Sequence, residues 1–125
     1  MNPHGDFKIE LIDNVVHVYP SGGFNEQGVE LLNEEIVSIA PQDQPWAVLE
    51  HPKNSAGLTP EALSKIAGFY QKIGELNCVA LGFEISSTWK GVLEKAFIDK
   101  VDIPICMSND LEKVELFIHE KLICA

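Results

Sequence analysis

Arginine is absent from this 125-residue sequence: its nine cations are all lysine, set against 19 Asp and Glu, for a formal charge of −10. Bidentate recognition of phosphate or of a guanine edge depends on the guanidinium fork, and a surface this acidic repels a polyanion, so sequence-specific nucleic-acid binding is not expected. Cysteine is scarce. Cys78, Cys106 and Cys124 are odd in number and form no CxxC pair, which argues against a disulfide scaffold and fits a reducing compartment. Long apolar runs are missing too, and none is long enough to cross a bilayer. Met1 to Phe7 carries no charged-then-apolar leader and Cys124 stands at no prenylation position, so the expected location is the cytoplasm. The four histidines, His4, His17, His51 and His119, follow no HxxxH or HExxH spacing, and Ser21-Gly22-Gly23 lacks both a phosphate-loop lysine and a dinucleotide fingerprint. No metal and no cofactor is therefore expected.

What is present is an ordinary globular composition, 46% hydrophobic and 22% charged, at a length with room for one core and a single domain over residues 1–125. Phe7, Ile9 and Leu11 alternate with Lys8 and Glu10; Asp13-Asn14 turns, and Val15 to Tyr19 resumes an extended run, which predicts a hairpin. Asn25 caps an amphipathic helix with Val29, Leu32, Ile36 and Ile39 on one stripe, stopped by Pro41. Apolar strand-like runs at Trp46–Leu49, Cys78–Phe83 and Ile103–Met107 then alternate with helical stretches. Thr59-Pro60 opens the second helix, Ser87 or Thr88 the third, and Asn109 the last. The order ββαβαβαβα predicts an α/β fold with a mostly parallel sheet and right-handed crossovers, in which the later strands are covered on both faces.

A hairpin followed by parallel βα units and a closing helix, at this length, resembles the STAS domain, and within it the SpoIIAA-like branch of small stand-alone bacterial proteins that act as anti-sigma-factor antagonists. In those antagonists an Asp-Ser-x-Gly-Leu type motif follows the third strand, and its Ser is phosphorylated by a partner kinase. The corresponding loop here reads Asn54-Ser55-Ala56-Gly57-Leu58, with Asn54 in place of the acidic residue and Ser55 on the acceptor position. The resemblance thus implies a non-enzymatic regulatory module that binds a protein partner and is switched at Ser55, with Asn54 and Gly57 shaping the loop. A phosphate there would add about −1.5 to −2 charges beside a helix start, where free N–H groups can receive it. Read from composition alone, Ser55 is a loop hydroxyl of the sort turns commonly carry.

The remaining candidates divide in the same way. Glu50-His51 lies near Ser55, but no G-x-S-x-G elbow accompanies it, and a loop histidine at a strand end is the expected reading. Cys106, on an apolar strand, reads as packing. The second and third helices have more apolar residues than one core face needs: Phe69 and Ile73 in one, Trp89, Leu93 and Phe97 beside Lys90, Lys95 and Lys100 in the other. These five apolar residues are candidate contacts for a small apolar ligand, a membrane surface or a second copy of the chain, and the fold's likeness to lipid-binding CRAL-TRIO domains keeps a carrier as the alternative function. The opposite reading is a filled core. Residues 1–50 have one lysine and nine acids and residues 51–125 eight lysines and ten acids, so any acidic or lipid surface would be met by the second half.

Overall fold

The computed structural model describes residues 2–125. Two antiparallel strands come first, β1 (Asp6–Ile12) and β2 (Val15–Phe24), in register from Asp6 opposite Ser21 to Ile12 opposite Val15. Asp13 and Asn14 both take left-handed backbone angles, φ 50° and 66°, as the tightest two-residue hairpin turn requires, and short polar side chains tolerate that region best. Then follow α1 (Glu26–Ile39), β3 (Trp46–Glu50), β4 (Asn54–Leu58), α2 (Pro60–Lys72), a 3-10 turn at Ile73–Leu76, β5 (Cys78–Glu84), α3 (Ser87–Phe97), β6 (Ile105–Ser108) and α4 (Leu111–Ile123).

The sheet order is β1-β2-β3-β5-β6, with every pairing after the hairpin parallel. The predicted α/β architecture is the observed one, with one added element. Long β2 pairs with β3 only over Val15–Val18, which leaves Ser21–Phe24 to pair with β4. The Asn54–Leu58 segment, expected as a loop, is therefore a short strand lying end to end with β3 along the same neighbour. Its composition carries no strand signal; the unpaired length of β2 imposes it.

Helices α1, α2 and α3 cover one face over a core that includes Val16, Val18, Trp46, Val48, Tyr70, Leu81, Phe83 and Phe97. Helix α4 covers the other face over Ala47, Leu49 and Ala80. It lies close because Gly82 has no side chain: a Cβ there would come within 2.5 Å of Val114 Cγ1 and 2.7 Å of Ile118 Cδ1. The helices begin where side-chain oxygens take orphan N–H groups. Asn25 accepts from Gly28, and Thr59, with Pro60 after it, accepts from Ala62. Two caps differ from the sequence expectation by one residue. Ser86 rather than Ser87 or Thr88 caps α3, and Asp110 rather than Asn109 caps α4. In both, several capping residues stand in a row and the strand's exit decides which is used.

Candidate functional site

The carboxyl ends of β3 and β5, the strand β4 and the starts of α2 and α3 meet at one rim of the sheet, the place where open α/β sheets carry ligands. Ser55 lies half-buried on this rim within β4, and its Oγ accepts a 3.4 Å hydrogen bond from the Gly57 N–H. Gly57 holds φ 115°, a conformation L side chains avoid, and a Cβ there would sit 3.5 Å from the Trp89 ring. Trp89 belongs to the first turn of α3 and is 39% exposed. Ser55, Gly57, Trp89 and Leu93 together with Pro52 and Ile85 surround a cleft of about 50 Å³. Two groups of residues singled out separately in the sequence therefore share one surface. Asn54 is exposed beside it. The α2 start is less free than expected, because Thr59 already serves the Ala62 N–H. Helix α3 has no acidic residue in its first turn, and its Ser86 cap likewise takes up the Trp89 N–H.

The other apolar candidates do not form one outward patch. Ile73 and Phe97 are fully packed at 1% and 3% exposure and Leu93 also faces inward, because Leu93 and Phe97 lie on the core stripe of α3 and Ile73 opens the 3-10 turn that closes α2 onto the core. Phe69 lines an open groove of about 970 Å³ between α1 and α2, away from Trp89. The outward apolar residues of this region are Trp89, Val92 and, just beyond the helix, Ile98.

Two polar arrangements on this rim escaped sequence reasoning. The first is Glu50, the last residue of β3, which is 6% exposed. Its Oε2 accepts a short hydrogen bond from the Tyr70 hydroxyl, and it borders a cavity of about 60 Å³ lined otherwise by apolar side chains and Ser55. Burial, opposed by that hydrogen bond, pushes its carboxyl up to about 7, and the same burial raises the Tyr70 phenol well above its ordinary value. The clue available in the sequence was a lone acid ending an unbroken apolar strand.

The second lies on the opposite sheet face, where strand alternation sends His51. The His51 Nδ1 is 3.0 Å from Glu84 Oε1, and His51 Nε2 is 3.0 Å from His17 Nδ1. The two imidazole planes lie within 10° and their centres are 5.3 Å apart, the spacing of rings that meet edge to edge in one plane. With the carboxylate accepting from His51 Nδ1–H, His51 Nε2 accepts from His17 Nδ1–H, and the His17 Nε2 lone pair is left outward. Tyr19 stacks on His51 at 4.6 Å, and Lys53 reaches the other Glu84 oxygen at 3.6 Å. Burial and the neighbouring His51 hold His17 below the usual imidazole range, against the pull of Glu115 and Glu10. Among the described residues no serine or cysteine is hydrogen-bonded to this relay, and Ser55 accepts from Gly57 instead, so Glu50, His51 and Ser55 form no nucleophile-base-orienter series.

No protein-family model and no curated protein sequence matches the chain. Solved structures do match over nearly its whole length. An uncharacterised DUF3478-family protein with a SpoIIAA-like fold from Shewanella loihica superposes at TM-score 0.67 with 11% identity, over 94% of this chain and 96% of its own. An anti-sigma factor antagonist from Mycobacterium paratuberculosis gives 0.63 with 18% identity, over 93% and 95%. The anti-sigma factor antagonist SpoIIAA in its unphosphorylated form gives 0.62 with 12% identity, over 90% and 97%. The fold is therefore SpoIIAA-like, as the order of elements predicts.

Proposed function

We propose that this chain is a non-enzymatic regulatory module that binds a protein partner through the rim formed by β4, the α2 start and the first turn of α3, and that phosphorylation of Ser55 switches that binding. The observation that carries this reading is the shared cleft of Ser55, Gly57, Trp89 and Leu93. A half-exposed tryptophan is an efficient anchor for a partner, and a hydroxyl at its side is placed so that a phosphate alters the same contact. Two of the structural neighbours are anti-sigma factor antagonists, and one of these was solved in its unphosphorylated form, which supports a regulatory role built on this fold. The fold neighbours also favour a binding role over catalysis. The carrier alternative finds less support: the two cavities at Leu93 hold about 60 and 50 Å³ against the roughly 300–1,000 Å³ of a drug-sized ligand site, and the groove of about 970 Å³ at Phe69 is open to solvent and bordered by Glu26, Glu30, Glu34, Glu61, Lys65 and Lys72.

The test uses immobilised wild type, Ser55→Ala, Ser55→Asp and Trp89→Ala as baits in lysate of the source organism, read by quantitative mass spectrometry. The expected result is a partner held by wild type and Ser55→Ala and lost with Ser55→Asp and Trp89→Ala. Equal capture by all four removes the proposal.

A further inference from the structure

The junction between β3 and β4, His51-Pro52-Lys53, is pinned on both sides of the sheet. Its backbone is tied by His51 N–H to Val18 O at 2.8 Å and by Ser55 N–H to Pro52 O at 3.1 Å. On the α4 side the relay Glu84–His51–His17 holds it, with Lys53, Tyr19, Glu10 and Glu115 as the other charged or titratable groups nearby. On the other side stands Glu50, almost wholly buried, with Tyr70 as its hydrogen-bond donor. Among the described residues neither a lysine nor a histidine borders the cavity it faces; α1, α2, α3, β2, β5 and Pro52 contribute apolar side chains there, and β4 contributes neutral Ser55 and Leu58. Tyr70 is the titratable group that meets Glu50, with Cys78 behind Tyr70.

We propose that this junction is a proton-operated hinge, in which ionisation of Glu50 draws water into the cavity and loosens β4, the strand that carries Ser55. A carboxylate without a counter-ion in apolar surroundings is costly, so it stays neutral or gains water. The cavity of about 60 Å³ is roomy enough to admit water. Of the walls around it, β4 is the one that can give: it is short, pairs with β2 alone, and β2 itself is irregular between Gly22 and Gly23. A carboxyl raised to about 7 by burial places the change within the physiological range.

Coupling between Glu50 and β4 is a property of the isolated chain. Its effect on partner binding rests on the Ser55 rim proposed above. Backbone amide NMR of the full chain between about pH 5 and pH 9, with amide exchange measured in parallel, tests the coupling without any partner. The amides of Asn54–Leu58 are expected to titrate together with a midpoint near 7 and to lose protection above it, measured against the intrinsic exchange rate at each pH, and Glu50→Gln is expected to abolish both effects. Tyr70→Phe, which removes the donor to the ionised form, is expected to move the midpoint upward and keeps the test open should Glu50→Gln fold poorly. Invariant β4 amides in the wild type overturn the hinge. So does a transition that survives in Glu50→Gln and disappears in His17→Gln, which assigns it to the opposite face. Because no partner enters the readout, a null result with Ser55→Asp baits leaves this inference standing, and the reverse also holds.

Discussion

Adjacent residues of a strand face opposite ways, and at the end of β3 that alternation puts Glu50 into an apolar cavity and His51 into a polar relay. The buried carboxyl has a consequence for stability with a definite sign. Its native value near 7 lies above the 4.5 of an unperturbed side chain, so between those values the folded chain binds more protons than the unfolded one. Stability contributed by protonated Glu50 is complete below about 4.5, declines as pH rises through the interval, and levels off above about 7, by on the order of 3 kcal/mol in all. Across this interval the urea midpoint of wild type is expected to fall relative to that of Glu50→Gln, both proteins sharing the opposite, rising contribution of the depressed His17. Parallel slopes for the two proteins would contradict the assignment. Sequence reasoning found Glu50 and His51 as a polar pair near Ser55 but not their separation, because which face of a strand is covered by apolar helices is a tertiary fact. Cys78 lies in the apolar run that forms β5, and burial pushes its thiol up to about 12. Thiol labelling of the native protein is expected to modify exposed Cys124 and to spare Cys78 until denaturant is added.

The hairpin, α1 and the two central strands were legible because each carries its own periodic pattern and punctuation. Asp13-Asn14, Asn25 and Thr59-Pro60 do at close range what the fold also requires, and local and global preferences agree there. Strand β4 was not legible, since Asn-Ser-Ala-Gly-Leu has turn composition and becomes a strand only because β2 outlasts β3. The candidate site was legible in its members and not in its assembly. Ser55 and Trp89 stand far apart in sequence, and only the Trp89 ring lying over Gly57 of β4 brings them to one cleft; Ile73 and Phe97, which the helical pattern alone left free to face outward, are taken up by the core beneath the helices. Helix α4 depends on a single small residue beneath it. Gly82→Val inserts atoms where Val114 and Ile118 already stand, and a loss of about 1–3 kcal/mol in chemical denaturation is expected, with α4 amides the first to lose exchange protection. A variant as stable as wild type would show that α4 is not held in this contact.

At the scale of the whole molecule, shape and charge are arranged on different parts of the surface. The α1 half supplies Glu26, Glu30, Glu34 and Glu35, whereas α3 presents Lys90 and Lys95 with Lys100 just beyond it, beside the exposed Trp89. A phosphate on Ser55 would bring about −1.5 to −2 charges to the least acidic part of an acidic protein, so the change in local potential is large there and small relative to the total. Strand β4 pairs on one side only, with β2, and it carries the rim where contact, phosphate and proton would all act. That convergence is the central claim, and the most direct measurement of it is an amide and indole NMR map of the isotope-labelled chain titrated with the partner captured by the wild-type bait. Shifts and line broadening are predicted at Asn54–Leu58, Thr59 and the Trp89 indole N–H, and are predicted to be lost when Ser55 carries a phosphate. A footprint confined to α4 or to β1, with β4 and Trp89 unchanged, would contradict the account.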